Sequence, residues 1–248
     1  MIYILNSLDI RPYFTWIRGG VTMLLVETNQ GGVLVDTGVG VKDHLAPTFR
    51  MALYKKFYRA SKGVEKTAFH LVQKLGYQPE DVRHIVISHL HLDHAGGLAD
   101  FPWAEIHILQ SELDFIKHRP NWRYIPEHWS HQPKWKMYTP EGKKWFGFDA
   151  VQLEGFSPEI WMLPLPRHTP GLAGVAIQQE NGWLLYGSDA LPYNARMDLV
   201  PRWFARLFMY HHVPRIRTLI AEHPEIQLVS GHMPQKFYKN KNILIIKI

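Results

Sequence analysis

Ile85-Val86-Ile87-Ser88-His89-Leu90-His91-Leu92-Asp93-His94 is the stretch that decides how this chain reads. Its first three residues are an apolar, β-branched run of the kind that forms a short buried strand. Three imidazoles and a carboxylate follow between His89 and His94. A strand that stops at a loop and delivers nitrogen and oxygen donors together suits one or two divalent metals of the zinc type. Alternate residues on extended backbone project to the same side, so His89 and His91 can chelate one ion. Asp93 and His94 can then turn toward its neighbour.

Three further candidate donors occur downstream in the same setting. Asp189 follows Trp183-Leu184-Leu185-Tyr186, and His232 follows Ile226-Gln227-Leu228-Val229. His168 follows Ile160-Trp161-Met162-Leu163 after a short Pro-rich turn. Four donor-bearing loops at strand ends would converge on one edge of a sheet, the usual way a rigid scaffold holds a catalytic site.

On these residues the chain resembles the metallo-β-lactamase superfamily of metal-dependent hydrolases. The block from His89 to His94, then His168, Asp189 and His232, stand in the family's order. Gly32-Val33-Leu34-Val35-Asp36-Thr37-Gly38 matches the segment the family places on an early hairpin. The resemblance implies an α/β fold, the four-layer αββα sandwich. It also implies one metal on His89, His91 and His168, a second on Asp93, His94 and His232, and Asp189 bridging the two. Two such ions about 3.5–4 Å apart share a hydroxide, bring its pKa toward about 7 and polarise a carbonyl or phosphoryl oxygen. Zn2+ is the expected metal, and a sulfur-free His/Asp set also admits Fe2+, Mn2+ or Co2+. Asp36 and Ser188 are the expected outer partners of the ligands.

Within the superfamily the block running on through Ala95-Gly96-Gly97 is most similar to the N-acyl-homoserine-lactone lactonases. The implied reaction is attack of a metal-bridging hydroxide on an ester carbonyl, opening a lactone ring, with Asp93 orienting or deprotonating the nucleophile. Those enzymes carry a tyrosine three residues beyond the bridging Asp. Here that position is Pro192, and Tyr193 one residue later is the candidate. The His168 loop departs as well, with Arg167 and Leu172 where lactonases often have Gly and a second His. Three other readings stand beside the lactonase. A thioesterase of the glyoxalase II type suits the basic tail Lys236-Phe237-Tyr238-Lys239-Asn240-Lys241. A phosphodiesterase or RNA-processing nuclease suits the net charge of +6, although no basic arm is long enough to grip a duplex. A non-catalytic metal-binding protein would need only the fold and the donors.

The 248 residues read as one domain, 1–248, with a helical insertion at about 41–76 and an aromatic-rich insertion at about 118–150. The absence of cysteine excludes disulfides and thiolate ligands. No apolar run reaches the ~18–20 residues of a membrane span, and no secretory signal is evident, so a cytoplasmic enzyme acting on a small ester or lactone is expected. Hairpins are expected around Asn29-Gln30-Gly31 and Glu180-Asn181-Gly182, and helices over Pro47–Arg59 and Glu65–Leu75. Ser111 with Asp114 looks like a capping-box start, and Pro214 is expected to break a helix over Pro201–Ala221. The aromatics of the second insertion suit either a pocket for an acyl chain or a seal on the core. The apolar Ile243–Ile248 run suits an edge strand or a homodimer contact.

Overall fold

Apolar residues along the first two strands build the centre of the larger of two sheets. A computed structural model describes residues 1–11, 13, 18–118, 121–191, 212–238 and 242–246. Strand β1 (Ile2–Ile10) pairs antiparallel with β2 (Gly19–Thr28), with Ile2 opposite Val26 and Ile4 opposite Leu24. β2 turns through Asn29 and Gln30 into β3 (Gly31–Val35), the first expected hairpin. β4 (Val82–Val86), β5 (Glu105–Leu109) and β6 (Lys134–Tyr138) then add in parallel. The short ribbon of β7 (Lys144–Trp145) and β8 (Phe148–Asp149) leads to the second sheet. Its strands are β9 (Val151–Leu153), β10 (Ile160–Pro164), β11 (Ala173–Gln179), β12 (Gly182–Ser188) and β13 (Ile226–Ser230). Then β14 (His232–Pro234) crosses back to pair with β2, and β15 (Ile243–Ile246) lines up on β1 as an edge strand. The orders are β15-β1-β2-β3-β4-β5-β6, with β14 beside β2, and β13-β12-β11-β10-β9.

Alternation sorts the side chains into three layers of core. Ile4, Leu24 and Val35 of the first sheet meet Met162, Val175 and Leu184 of the second. Behind the first sheet, Leu34, Ile85 and Ile106 pack on Ala68, Leu71 and Val72 of the helix Ala68–Lys74. Behind the second, Leu163, Ala176 and Leu185 pack on Val213, Ile216 and Leu219 of the helix Val213–Glu222. Helix, sheet, sheet and helix make the expected αββα sandwich.

Three local expectations fare differently. The helix after β5 begins at Gln110, straight off the strand, so Ser111 is not its cap. Asp114 instead accepts from Gln110 Nε2 (2.8 Å) and Lys117 Nζ (3.1 Å). Pro214 sits in the first turn of the helix Val213–Glu222, where an absent N–H costs nothing, and residues 201–211, the expected helix ahead of it, lie outside the described residues. The aromatics of the second insertion disperse. Tyr124 is buried behind the first sheet, Trp135 and Tyr138 lie on β6, and Trp145 and Phe148 cover the back of the second sheet. Most of them seal the core. A cavity of about 790 Å³ lined by Tyr138, Phe148, Pro166 and Arg215 touches none of the seven candidate donors.

Candidate metal centre

The strand ends carry the candidate donors because the chain stops pairing there and turns sharply. Two of those turns sit in the left-handed region that non-glycine residues avoid, Asp36 after β3 (φ 57°) and Ser188 closing β12 (φ 45°). Such backbone persists where its surroundings over-determine it. Here Asp36 N donates to Val86 O (2.9 Å), and Ser188 O accepts from Gly231 N (3.0 Å). Ser88 O accepts from Ala173 N (2.9 Å), which joins the first donor loop to the second sheet.

All seven residues come together in space, in two groups. In the first, His91 Nδ1 lies 3.1 Å from His89 Nε2 and 3.0 Å from His168 Nε2. In the second, His232 Nε2 lies 3.7 Å from Asp93 Oδ2, and His94 completes the trio. Asp189 stands between them. Its Oδ2 is 3.2 Å from His168 Nε2, while its Oδ1 is 3.4 Å from both His94 Nε2 and His232 Nε2.

The two groups differ in charge. Burial pushes the pKa of His89 well below the ordinary imidazole value, lowers His168, and brings His91 to about 3. All three rings are therefore neutral, with lone pairs to offer. Burial also opposes protonation of His94 and His232, but Asp189 and Asp93 override it and raise both. In turn burial works to raise Asp93 and Asp189, and the facing histidines win and hold both low. Two carboxylates sharing a dry cleft call for nearby positive charge, which divalent cations supply.

Two buried carboxylates hold the donor loops from behind, Asp36 reaching His94 directly and His89 through Ser88, and Glu112 serving the first group. Asp36 accepts from Ser88 N (2.7 Å), Ser88 Oγ (2.7 Å), Tyr186 OH (2.8 Å) and His94 Nδ1 (2.8 Å). That last bond leaves His94 Nε2 aimed at Asp189, without a hydrogen-bond partner. His89 Nδ1, 3.0 Å from Ser88 Oγ, is likewise turned outward so that its Nε2 faces the cluster. Glu112 plays the matching part for the first group. It accepts from Leu90 N (2.9 Å), Tyr124 OH (3.1 Å), Thr169 Oγ1 (2.7 Å) and Gly171 N (3.1 Å), tying the His91 loop to the His168 loop. Burial still outweighs those four donors and raises its pKa. The approach is so close that a Cβ at Gly171 would overlap the Glu112 backbone. On the open side Tyr54 OH donates to Asp93 Oδ2 (2.8 Å), with its ring stacked on Tyr58.

Asp36 and Ser188 thus stand where sequence reasoning expected outer partners, Ser188 through a 2.8 Å contact with Ser88 Oγ. Glu112, Tyr124 and Tyr186 had no motif to mark them, and Tyr54 was visible only as one residue of the expected helix over Pro47–Arg59. Tyr193 lies outside the described residues. The donor chemistry fits metals: three neutral ring nitrogens converge within hydrogen-bonding range, and buried His94 Nε2 and Asp189 Oδ1 lack hydrogen-bond partners.

Comparison with known proteins agrees with this geometry. Residues 16–232 match the model of the metallo-beta-lactamase superfamily. A probable metallo-hydrolase of Mycobacterium tuberculosis is 35% identical over 87% of this chain and 75% of its own length. An N-acyl homoserine lactonase of Bacillus cereus is 30% identical over 67% of this chain and 62% of its own. Among solved structures, an AiiA variant of Bacillus thuringiensis with N-decanoyl-L-homoserine at its active site superposes with a TM-score of 0.71. It is 22% identical, and the match covers 96% of this chain and 95% of that one. AidC, a dizinc quorum-quenching lactonase, superposes with a TM-score of 0.61 at 22% identity, over 94% and 77% of the two chains. The chain belongs to the metallo-beta-lactamase superfamily. It is a metal-dependent hydrolase related to the lactonases.

Proposed function

We propose that this chain is a dinuclear metal-dependent lactonase that opens N-acyl-homoserine lactones. The observation that carries the reading is Asp189, whose two oxygens turn to different histidine groups. On this reading His89, His91 and His168 would hold one metal and Asp93, His94 and His232 the other, with Asp189 facing both groups. Zn2+ is the assigned ion. Bound there, two divalent ions supply a nucleophile from water at neutral pH and polarise the ester carbonyl.

The chain's own residues do the positioning. Asp36 and Glu112 fix the donor loops from behind, so the ring nitrogens are aimed before any ligand arrives. The Tyr54 hydroxyl holds one Asp93 oxygen, which leaves the other free to orient the attacking water and to take its proton. Arg123, on the loop whose carbonyl O accepts from Leu92 N (2.9 Å), brings positive charge to the first group and helps depress His91 and His168. That charge favours a substrate that becomes a carboxylate on hydrolysis. Tyr193 is assigned to the substrate's oxygen or the leaving group.

The lactone substrate rests on the sequence relatives that are lactonases. Of the basic tail that suits the thioesterase reading, Phe237 and Tyr238 pack on the core between the sheets, while Lys239 and Lys241 lie outside the described residues. Among the described residues no helix is long and apolar enough to cross a membrane. A cytoplasmic enzyme of one domain that quenches acyl-homoserine-lactone signals completes the proposal, with the β15 edge as its homodimer contact. The test is hydrolysis by the zinc-reconstituted protein of N-hexanoyl- and N-decanoyl-homoserine lactone, S-lactoylglutathione and bis(p-nitrophenyl) phosphate. Lactones should give a kcat/KM at least about 100-fold above the others, nearly 3 kcal/mol in barrier. Faster turnover of the thioester or the phosphodiester would overturn the assignment.

A further inference from the structure

A second set of imidazoles lies further back along the sheet, starting from His84 in the middle of β4. His84 precedes His89 by five residues, about 16 Å along an extended strand, and it pairs with Glu105 of β5. His107, two residues further along β5, projects from the same face. His84 Nδ1 is 3.1 Å from His107 Nε2, and Glu105 Oε1 is 3.6 Å from His107 Nε2 and 3.9 Å from His84 Nδ1. The three donors face one point at the mouth of the cleft between the sheets, where Phe156 packs on both rings.

We propose that His84, His107 and Glu105 form a third, mononuclear site for a late first-row divalent cation, Zn2+ by its donor set, apart from the dinuclear centre. Two bonds of about 2.05 Å at a tetrahedral angle separate their donors by about 3.3 Å. The observed 3.1, 3.6 and 3.9 Å bracket that figure, so small movements of Glu105 close the set. Two histidines and a glutamate are a known zinc set that leaves a position open to water. That position falls on the outer side, because Glu105 is half-exposed whereas His107 is fully buried.

Three features favour a metal over a plain hydrogen-bonded pair. His107 Nδ1 is taken by Tyr138 OH at 2.8 Å, which turns Nε2 toward the cluster, as an outer partner does for a metal-bound histidine. Both rings are neutral and so keep lone pairs. Burial, His84 and Lys136 bring His107 to about 3, and burial with Lys136 and Arg83 lowers His84 against the pull of Glu105. Finally, Glu105 lies beyond hydrogen-bonding range of both rings. Among the described residues it hydrogen-bonds Lys136 Nζ at 3.1 Å, a half-exposed cation that a divalent ion would displace.

The site rests on neither the lactonase reading nor the seven donors, and the test keeps them separate. Protein saturated with Zn2+ and dialysed is analysed for metal as wild type, His84→Ala, Glu105→Gln and Lys136→Ala. Wild type should hold one more equivalent than His84→Ala, with hydrolytic activity equal in the two. Glu105→Gln should hold the extra ion several-fold more weakly, and Lys136→Ala several-fold more tightly because the competing cation is gone. Equal zinc content in wild type and His84→Ala overturns the proposal. An affinity unchanged in Lys136→Ala removes Glu105 from the site and overturns it as stated. Anomalous scattering at the zinc edge from wild-type crystals needs no variant. A peak between His84 and His107 is expected, and its absence at saturating Zn2+ contradicts the site.

Discussion

The two halves of the centre are built alike and charged differently. His89, His91 and His168 are neutral rings, held from behind by Glu112 and, at His89, by Asp36 through Ser88. Asp93, His94 and His232 are rich in charge and are held from behind by Asp36. Each anchor is a buried carboxylate that accepts four hydrogen bonds, so neither adds an unpaired charge. The difference teaches that loop placement and charge are set separately. The anchors fix where donors point, and the balance of Asp against His in front of them decides how strongly each half draws a cation.

Removing one anchor should therefore empty one half. Asp36→Ala leaves Ser88 N and His94 Nδ1 without their acceptor in a buried setting, while Tyr186 OH keeps Thr22 O at 3.0 Å. A stability loss of about 3 kcal/mol or more is expected by denaturant unfolding, with loss of the metal of the charged half first. Equal loss from both halves would break the comparison. Glu112→Gln puts an amide NH2 where two donors already point, at a cost of about 2 kcal/mol. Its metal loss should fall on the His91 and His168 half, resolved by spectroscopy of the cobalt-substituted protein. Tyr54→Phe removes a single bond to Asp93. It should lower kcat roughly tenfold, equivalent to about 1.4 kcal/mol, with metal content unchanged. A fall in metal content would make Tyr54 part of the scaffold instead.

Asp100 is the control for a carboxylate with too few donors. Val41 N donates to it at 2.9 Å, but burial pushes its pKa up from 3.8 to about 6. The folded state then holds the proton more tightly than the unfolded chain, so stability falls as pH rises from about 4 to about 6. Asp100→Asn should therefore stabilise the protein by about 1 kcal/mol at pH 7, after allowing for partial solvent contact, and change little at pH 4. Thermal unfolding at the two pH values reads this directly. Stabilisation equal at both would mean the carboxylate is not strained by burial.

What could be read in advance follows from distance along the chain. The seven residues that gather in the cluster were legible as candidates because each closes or follows an apolar run, and a strand end is a local signal. The sandwich was legible through the same runs and their family order. Glu112 was not, since its partners Leu90 and Thr169 are brought to it only when the helix Gln110–His118 docks under both loops. Tyr54 was hidden for the same reason, 39 residues from the carboxylate it meets. The Ser111 cap failed because β5 runs into its helix without a break. Pro214 stands in the first turn of the helix Val213–Glu222, and the stretch ahead of it, where the break was expected, lies outside the described residues.

The account stands or falls on two metals joined by Asp189. Elemental analysis of the reconstituted wild type and of His84→Ala, Asp189→Ala and their double variant tests it most directly, since the His84 background removes the proposed third site. Two equivalents should remain in His84→Ala, and one or none in the double variant, with lactone opening lost whenever Asp189 is replaced. One equivalent or fewer in His84→Ala, or a count that Asp189→Ala leaves untouched, would contradict it.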